Sequence, residues 1–356
     1  MCMNNEVLCQ VASKILGTPV IGATYDTTKL KGGTIGDVRL ITGIAKTGNG
    51  NELPFKVVLK IQKEFERWGD VDSWRREYDL YASDLDATFA NSFTWPKCYH
   101  AVLNNDNIHL WLEYADGISG NNLTPQMMEQ AALELGRYQG RLYAQNHSCF
   151  NGISNLRRVD LRETHYRHWK PKNVEYRYVR SAECEIPTHL TSMIIDIDNH
   201  ADEIFSRISK LPVVLYHGDY WHENIISSGD KLYIIDWDSA GLGFVGEDIA
   251  QLITDETDPA LWPEYKAKLI PAYFRGLSEN MDVSGLDGTI ISDMILTSSY
   301  LSVFYYLQTE SASEKAYHLK CLQQIYETFF GTTLLTVSKP ASTMFPAITN
   351  IKEVLL

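Results

Sequence analysis

The spacing of apolar and polar positions changes character once along the chain. From Thr34 to Ile44 apolar residues alternate loosely behind a glycine cluster, Lys31-Gly32-Gly33-Thr34-Ile35-Gly36. Gly48-Asn49-Gly50-Asn51 then marks a turn, and Phe55-Lys56-Val57-Val58-Leu59-Lys60-Ile61 is apolar and β-branched. Together these signals predict a hairpin with a turn longer than two residues. Trp74, Tyr78, Tyr81 and Leu85 fall on one face of a helix predicted over 73–85. Ile108 to Tyr114 reads as a further strand, closed by Asp116-Gly117.

Beyond that point helical spacing dominates. Thr124 is placed as an N-cap with Pro125 at the first helical position. Met128, Ala131, Leu135, Tyr138 and Leu142 then carry a helix to about Asn146. Residues 157–180 mix aromatic and charged side chains, and 192–209 are predicted helical. Val213 to Tyr216 and Leu232 to Asp236 are short apolar strands, and helices run from Glu247 to about Phe330. Residues 331–356, with Pro340 and Pro346, have weak periodicity and are expected to form a strap or a loose tail. Strands first and helices later predict an α+β fold. The expected division is an N-terminal lobe over 1–116 and a C-terminal lobe over 117–356.

Composition narrows the classes of function. The chain has 356 residues, more than one core usually absorbs. Apolar residues make up 44% and charged residues 22%, as in ordinary globular proteins. A formal net charge of −13 argues against nucleic acid as a partner. No run reaches the roughly 18–20 apolar residues of a membrane span, and Met1 to Gln10 lacks the basic start of a signal peptide. A cytoplasmic protein without a membrane partner is expected. The six cysteines are irregularly spaced and read as free thiols.

The chemistry concentrates in His217-Gly218-Asp219-Tyr220-Trp221-His222-Glu223-Asn224, followed by the strand Leu232–Ile235 and then Asp236-Trp237-Asp238. Phosphoryl transfer needs a carboxylate to orient the attacking hydroxyl and accept its proton. It also needs hard oxygen ligands for Mg²⁺. Asp219 suits the first task. Asn224, Asp236 and Asp238 suit the second. His217 is expected to brace the loop; His217 and His222 lack further ligands at zinc spacing.

These residues resemble the aminoglycoside phosphotransferase and choline kinase superfamily. That superfamily carries H-G-D-x-x-x-x-N, then an apolar strand ending in I-D-[WFL], matched here by His217-Gly218-Asp219…Asn224 and Ile235-Asp236-Trp237. The resemblance implies a two-lobed protein-kinase-like fold, with a small β-rich N-lobe and a larger helical C-lobe. It implies Asp219 as catalytic base, Asn224 and Asp236 as Mg²⁺ ligands, and ATP or GTP as co-substrate. Asp248, in Glu247-Asp248-Ile249-Ala250, would support the catalytic loop. Lys60 would reach the nucleotide phosphates, with Glu77 as its partner. Gly33 and Gly36 would belong to a phosphate loop. Glu113 and Ala115 would lie in the linker that reads the base.

Two features point to a small acceptor instead of a peptide. Gly218 stands where protein kinases carry the arginine of H-R-D. Only residues 239–246 separate Asp238 from Glu247, too few for a long activation segment. Trp221 and Trp169 are candidates to line the acceptor site, and Asp255 to attract a cationic acceptor. The acceptor itself stays open among aminoglycosides, choline or ethanolamine, sugars and other metabolites. A non-catalytic nucleotide-binding protein on the same fold is the alternative of another class.

Overall fold

The computed structural model describes residues 4–30, 36–66, 70–145, 153, 155–168 and 170–331, with only the backbone of 170–172. Gly33, Trp169 and residues 332–356, on which expectations were placed above, lie outside them. The chain divides into two compact units. One comprises residues 1–120, 152–157 and 224–240, and the other 121–151, 158–223 and 241–356.

The first unit is built on a five-stranded sheet. Its strands are β1 (Val20–Lys29), β2 (Asp37–Thr47), β3 (Glu52–Lys63), β5 (Cys98–Leu103) and β6 (Asn107–Leu112), in the order β1-β2-β3-β6-β5. All its neighbours are antiparallel. Each face carries a helix. Helix α1 (Asn5–Leu16) packs Leu8, Val11 and Ala12 against Ile41, Ala45, Phe55, Val57, Leu59 and Ile61. Helix α2 (Ser73–Tyr81) brings Trp74 to Ile108, Leu110, Leu112 and Val58. Each such side chain removed from water is worth about 1.5–3 kcal/mol. Strand side chains alternate between faces. Odd-numbered positions of β3 therefore meet α1, and Val58, Lys60 and Gln62 turn toward α2.

A second sheet in this unit has the order β4-β10-β9-β7, with β4 (Phe93–Thr94), β7 (Ile118–Ser119), β9 (Ile225–Ser228) and β10 (Lys231–Ile234). Its centre is the β9–β10 hairpin, paired Ile225 to Ile234 and extended by Ile235 N–H donating to Asn224 O at 3.0 Å. That register sets Asn224 and Asp236 at the same end of the hairpin.

The second unit is mainly helical: α3 (Pro125–Ala144), α4 (Leu161–His168), α5 (Lys170–Tyr178), α6 (Thr188–Asn199), α7 (Ala201–Ile208), α8 (Glu247–Thr254), α9 (Trp262–Ser278), α10 (Gly288–Ser298), α11 (Tyr300–Gln308) and α12 (Ala312–Ile325). A two-stranded ribbon joins β8 (Val213–Tyr216) to β11 (Gly241–Phe244). Thr124 caps α3 through Met127 N–H, with Pro125 at its start, as the sequence predicts. Helices α3 and α9 meet backbone to backbone. A Cβ at Gly136 would lie 2.2 Å from Tyr273 O, and one at Gly276 2.2 Å from Leu133 O. Gly136→Val is expected to cost at least about 1–3 kcal/mol through overpacking, read as a lower thermal midpoint. An unchanged midpoint would mean that the two helices part freely.

Several boundaries differ from expectation. The helix predicted over 73–85 stops at Tyr81, because Ser83 accepts from Leu85 N–H and starts a separate 3₁₀ turn. The helix expected over 192–209 begins at Thr188 and is interrupted at His200, dividing α6 from α7. The aromatic stretch 157–180 folds into α4 and α5. Among the described residues one helical run, Gly288–Gln308, is long and apolar enough to cross a membrane, and most of it is buried within the unit.

Candidate active site

Lys60 is the organising charge of the first unit. Its parity on β3 aims it at α2, where Glu77 is 1% exposed. Its Nζ donates to Glu77 Oε2 and to Asp236 Oδ1, each at 2.5 Å. Burial alone would lower the lysine pKa. The carboxylates of Asp236, Glu77 and Asp238 outweigh it, and Lys60 is held well above its ordinary value. Burial also pushes Glu77 up, with Lys60 opposing it. Glu77 Oε1 accepts from Trp237 N–H at 3.3 Å, so one carboxylate ties strand, helix and the segment after β10 together.

Asp236 sits at φ 65° and ψ 63°, a left-handed conformation that non-glycine residues rarely adopt. Such outliers persist only where neighbours fix them. Here Trp237 does so. It is 2% exposed, donates from Nε1 to Ile234 O at 2.9 Å, and meets Phe89 and Trp95 edge-on. The side chain of Asp236 remains 32% exposed. Asp238 is buried. It accepts from Gln62 Nε2 at 3.4 Å, and its carbonyl accepts from Arg76 at 2.6 Å. Arg76 is itself clamped by both oxygens of Asp70.

The sequence reading named neither Gln62 nor Arg76. The signal for Gln62 was its parity with Lys60 on β3. Arg76 adjoins Glu77 on α2, but nothing in the sequence marks its reach to a distant carbonyl.

Asp236, Asp238 and Asn224 are hard oxygen donors by chemistry. Mg²⁺ is typically held by one or two carboxylates with substrate phosphates and water completing the shell, so the donor chemistry fits. Among the described residues no group of three or more His, Cys, Asp and Glu is arranged to hold a metal.

The remaining nucleotide-side candidates fall as follows. Glu113 N–H is donated to Lys97 O at 2.8 Å. Its carboxylate accepts from Lys97 N–H and Tyr233 OH. Its side chain is therefore committed to holding the end of β6 beside β10. Gly36 precedes β2, where a Cβ would come within 3.2 Å of Ile61 O. Ala115 follows β6.

The second unit holds the other candidates. Asp248, 1% exposed at the start of α8, receives His217 N–H at 2.9 Å, Gly218 N–H at 3.0 Å and Gln139 Nε2 at 3.0 Å. Burial pushes its carboxyl up to about 7 against those three donors. Gln251 adds a clasp, accepting from Tyr220 N–H and donating to Gly218 O. Gly218 has φ 77°, which glycine adopts without strain. The absence of arginine here thus has a backbone reason. These bonds fix the loop on both sides of Asp219, which is half-buried. Asp248→Asn would turn one oxygen into a donor facing an N–H. It is expected to cost about 1–3 kcal/mol of stability, read by denaturant unfolding. An equally stable variant would show that the loop does not depend on this carboxylate.

His217 is buried and contributes its backbone N–H to this bracing. Trp221 is half-buried and meets the His222 ring edge-on at 5.1 Å. Asp255 closes α8, and burial followed by the charge of Glu256 raises it to about 6. The first unit thus gathers Lys60, Glu77, Asp236 and Asp238, with Asn224 at the adjoining strand end. The second gathers His217, Gly218 and Asp248 around the backbone of Asp219. Residues 220–223 connect Asp219 to Asn224 along the chain.

Comparison with known proteins bears on the fold and the family. None of the curated proteins matches the chain. Among solved structures, an aminopropanol kinase associated with a microcompartment is similar at TM-score 0.56 and 13% identity, covering 88% of this chain and 94% of that one. An amicoumacin kinase, solved with AMP-PNP, Ca²⁺ and its ligand, gives 0.52 and 16%, covering 91% and 96%. An ethanolamine kinase of Plasmodium vivax gives 0.51 and 15%, covering 87% and 84%. At such identity the likeness is one of fold, and the fold is the α+β, protein-kinase-like one expected above. Residues 64–283 match a family described as the phosphotransferase enzyme family, and the chain belongs to it.

Proposed function

We propose that the protein is a Mg²⁺-dependent kinase that transfers the γ-phosphate of ATP or GTP to a hydroxyl of a small acceptor. The observation that carries this reading is Lys60, held 2.5 Å from both Glu77 and the left-handed Asp236. An ammonium fixed by two carboxylates is positioned to meet nucleotide phosphates without moving. Asn224, Asp236 and Asp238 would hold the metal, which supplies charge neutralisation at the phosphates. Asp219 would orient the acceptor hydroxyl and take its proton. Asp248 would keep the loop around Asp219 in shape through His217 and Gly218.

The small acceptor is supported by the short connection after Asp238. Residues 239–246 are consumed by a 3₁₀ turn, β11 and Gly246, with no length left for a peptide platform. Trp221 and Asp255 are proposed to border the acceptor. The similar folds include an aminopropanol kinase and an ethanolamine kinase, so amino alcohols belong in the first test panel.

Incubation with γ-labelled ATP, Mg²⁺ and a panel of amino alcohols, choline, aminoglycosides, fructosamine, methylthioribose and homoserine tests the reading. Label appearing in one acceptor class is expected. Label released only as free phosphate, with every acceptor, would count against it.

A further inference from the structure

Helix α2 carries Glu77 to Lys60, yet little in the helix itself fixes where it lies. It has nine residues, short of the roughly 12–15 at which a helix becomes stable alone. Asp72 at its start makes no side-chain cap. Among its buried positions, Ser73, Arg76 and Glu77 are polar, and only Trp74 and Leu80 are apolar. Apolar burial has no direction, so the orientation of this helix must come from its hydrogen bonds.

Arg76 supplies most of them. It is buried, and each nitrogen of its guanidinium serves a different segment. Nη2 donates to the two oxygens of Asp70 at 2.8 and 2.7 Å, Nη1 to Asp238 O at 2.6 Å, and Nε to Asn155 O at 2.6 Å. Pairing with Asp70 alone would neutralise the buried cation; the two carbonyls add position. Arg76 and Glu77, adjacent on α2, grip adjacent residues of one segment with opposite polarity. Glu77 accepts from Trp237 N–H, and Arg76 donates to Asp238 O. Asn155 closes the frame. Its Nδ2 donates to Asp72 O at 2.9 Å, at the start of α2, and to Asp79 Oδ2 at 3.1 Å, in its last turn. Two residues on, Arg157 N–H donates to Ala240 O at 3.1 Å. The stretch 155–157 therefore binds α2 and the segment after Asp236 at once.

We propose that Arg76 and Asn155 are positioning residues that latch α2 to residues 236–240 and so keep Glu77 on Lys60. Both act through Glu77, and neither is assigned a part in transfer. In protein kinases the placement of the glutamate helix is a point of control; here the latch supplies that placement. That the Lys60–Glu77 pair serves a nucleotide rests on the kinase reading above. The latch does not, and it is read first in the nucleotide-free protein.

Asn155→Ala removes the two Nδ2 bonds and leaves the carbonyl that Arg76 uses. Arg76→Lys keeps the charge beside Asp70 but cannot reach three segments. The probe is ¹⁵N NMR of the Lys60 ammonium, with Glu77→Gln as the reference for a lost contact. The Lys60 signal is expected to move toward that reference in both variants. AMP-PNP affinity with Mg²⁺ is expected to fall about tenfold in each, and no further when either is combined with Glu77→Gln. A merely structural role would weaken the double variants additively. A Lys60 signal unchanged in Asn155→Ala, or losses that add to that of Glu77→Gln, would overturn the proposal. Should Arg76→Lys fail to fold, Asn155→Ala, which keeps the Arg76–Asp70 pair, decides it. A wild-type protein that binds no AMP-PNP would count against the kinase reading alone, since the Lys60 signal would still report the latch.

Discussion

Asp219→Asn is expected to lower kcat by about 10²–10⁴-fold, the range found when a positioned general base is lost. The change is close to isosteric, and the loop around residue 219 is held by Asp248 and Gln251 through backbone atoms of its neighbours. The fold and the nucleotide affinity are therefore expected to survive. That combination separates a role in transfer from a role in structure. A variant with wild-type kcat would remove Asp219 from the assigned role. One that also loses nucleotide affinity would show that Asp219 acts on the nucleotide side.

Asp236→Asn is expected to have a comparable effect by a different route. The carboxylate is both a partner of Lys60 at 2.5 Å and a proposed metal ligand. A bound metal contributes several kcal/mol of charge stabilisation in such reactions. Each 1.36 kcal/mol lost is tenfold in rate, so a drop of roughly 10³-fold is expected. The substitution also removes the charge that does most to raise Lys60, while the burial that lowers it remains. The lysine pKa should fall in the variant, which ¹⁵N-lysine NMR would detect. Raised Mg²⁺ is expected to recover part of the activity of a weakened site. Undiminished turnover would exclude Asp236 as a ligand.

What the sequence made legible follows physical lines. The pairing of Lys60 with Glu77 rested on the family resemblance, which implies a strand lysine met by a helix glutamate. The structure places the two side chains in direct contact. The spacing within Gly218–Asn224 and Ile235–Asp238 carried the family, and it lies within the matched residues. Helix α1 is legible in the sequence. Leu8, Val11, Ala12 and Ile15 have helical spacing, Asn4 caps the start, and Gly17 ends it at φ 63°. Strand β1 was harder, since its edge position leaves much of it polar and exposed. The reach of Arg76 to the Asp238 carbonyl depends on tertiary packing, and no local pattern encodes it.

The left-handed backbone at Asp236 belongs to the same class. Asparagine and aspartate tolerate that region better than most residues, yet the sequence gives no reason to expect it there. It results from Trp237 being fixed in a ring of Phe89 and Trp95 while Lys60 pulls on the carboxylate. On the proposed function these contacts would serve the site as well as the fold, so substitutions at Trp237 should lower stability and metal-dependent binding together.

The central claim is that Lys60, Glu77, Asp236 and Asp238, with Asn224, form a metal–nucleotide centre. Calorimetric titration of AMP-PNP into the wild-type protein, with Mg²⁺ and with the metal chelated, tests it most directly. The account predicts binding that tightens markedly with Mg²⁺, and loses that dependence in Asp236→Asn. Binding of equal strength with and without the metal, or no binding at all, would contradict it.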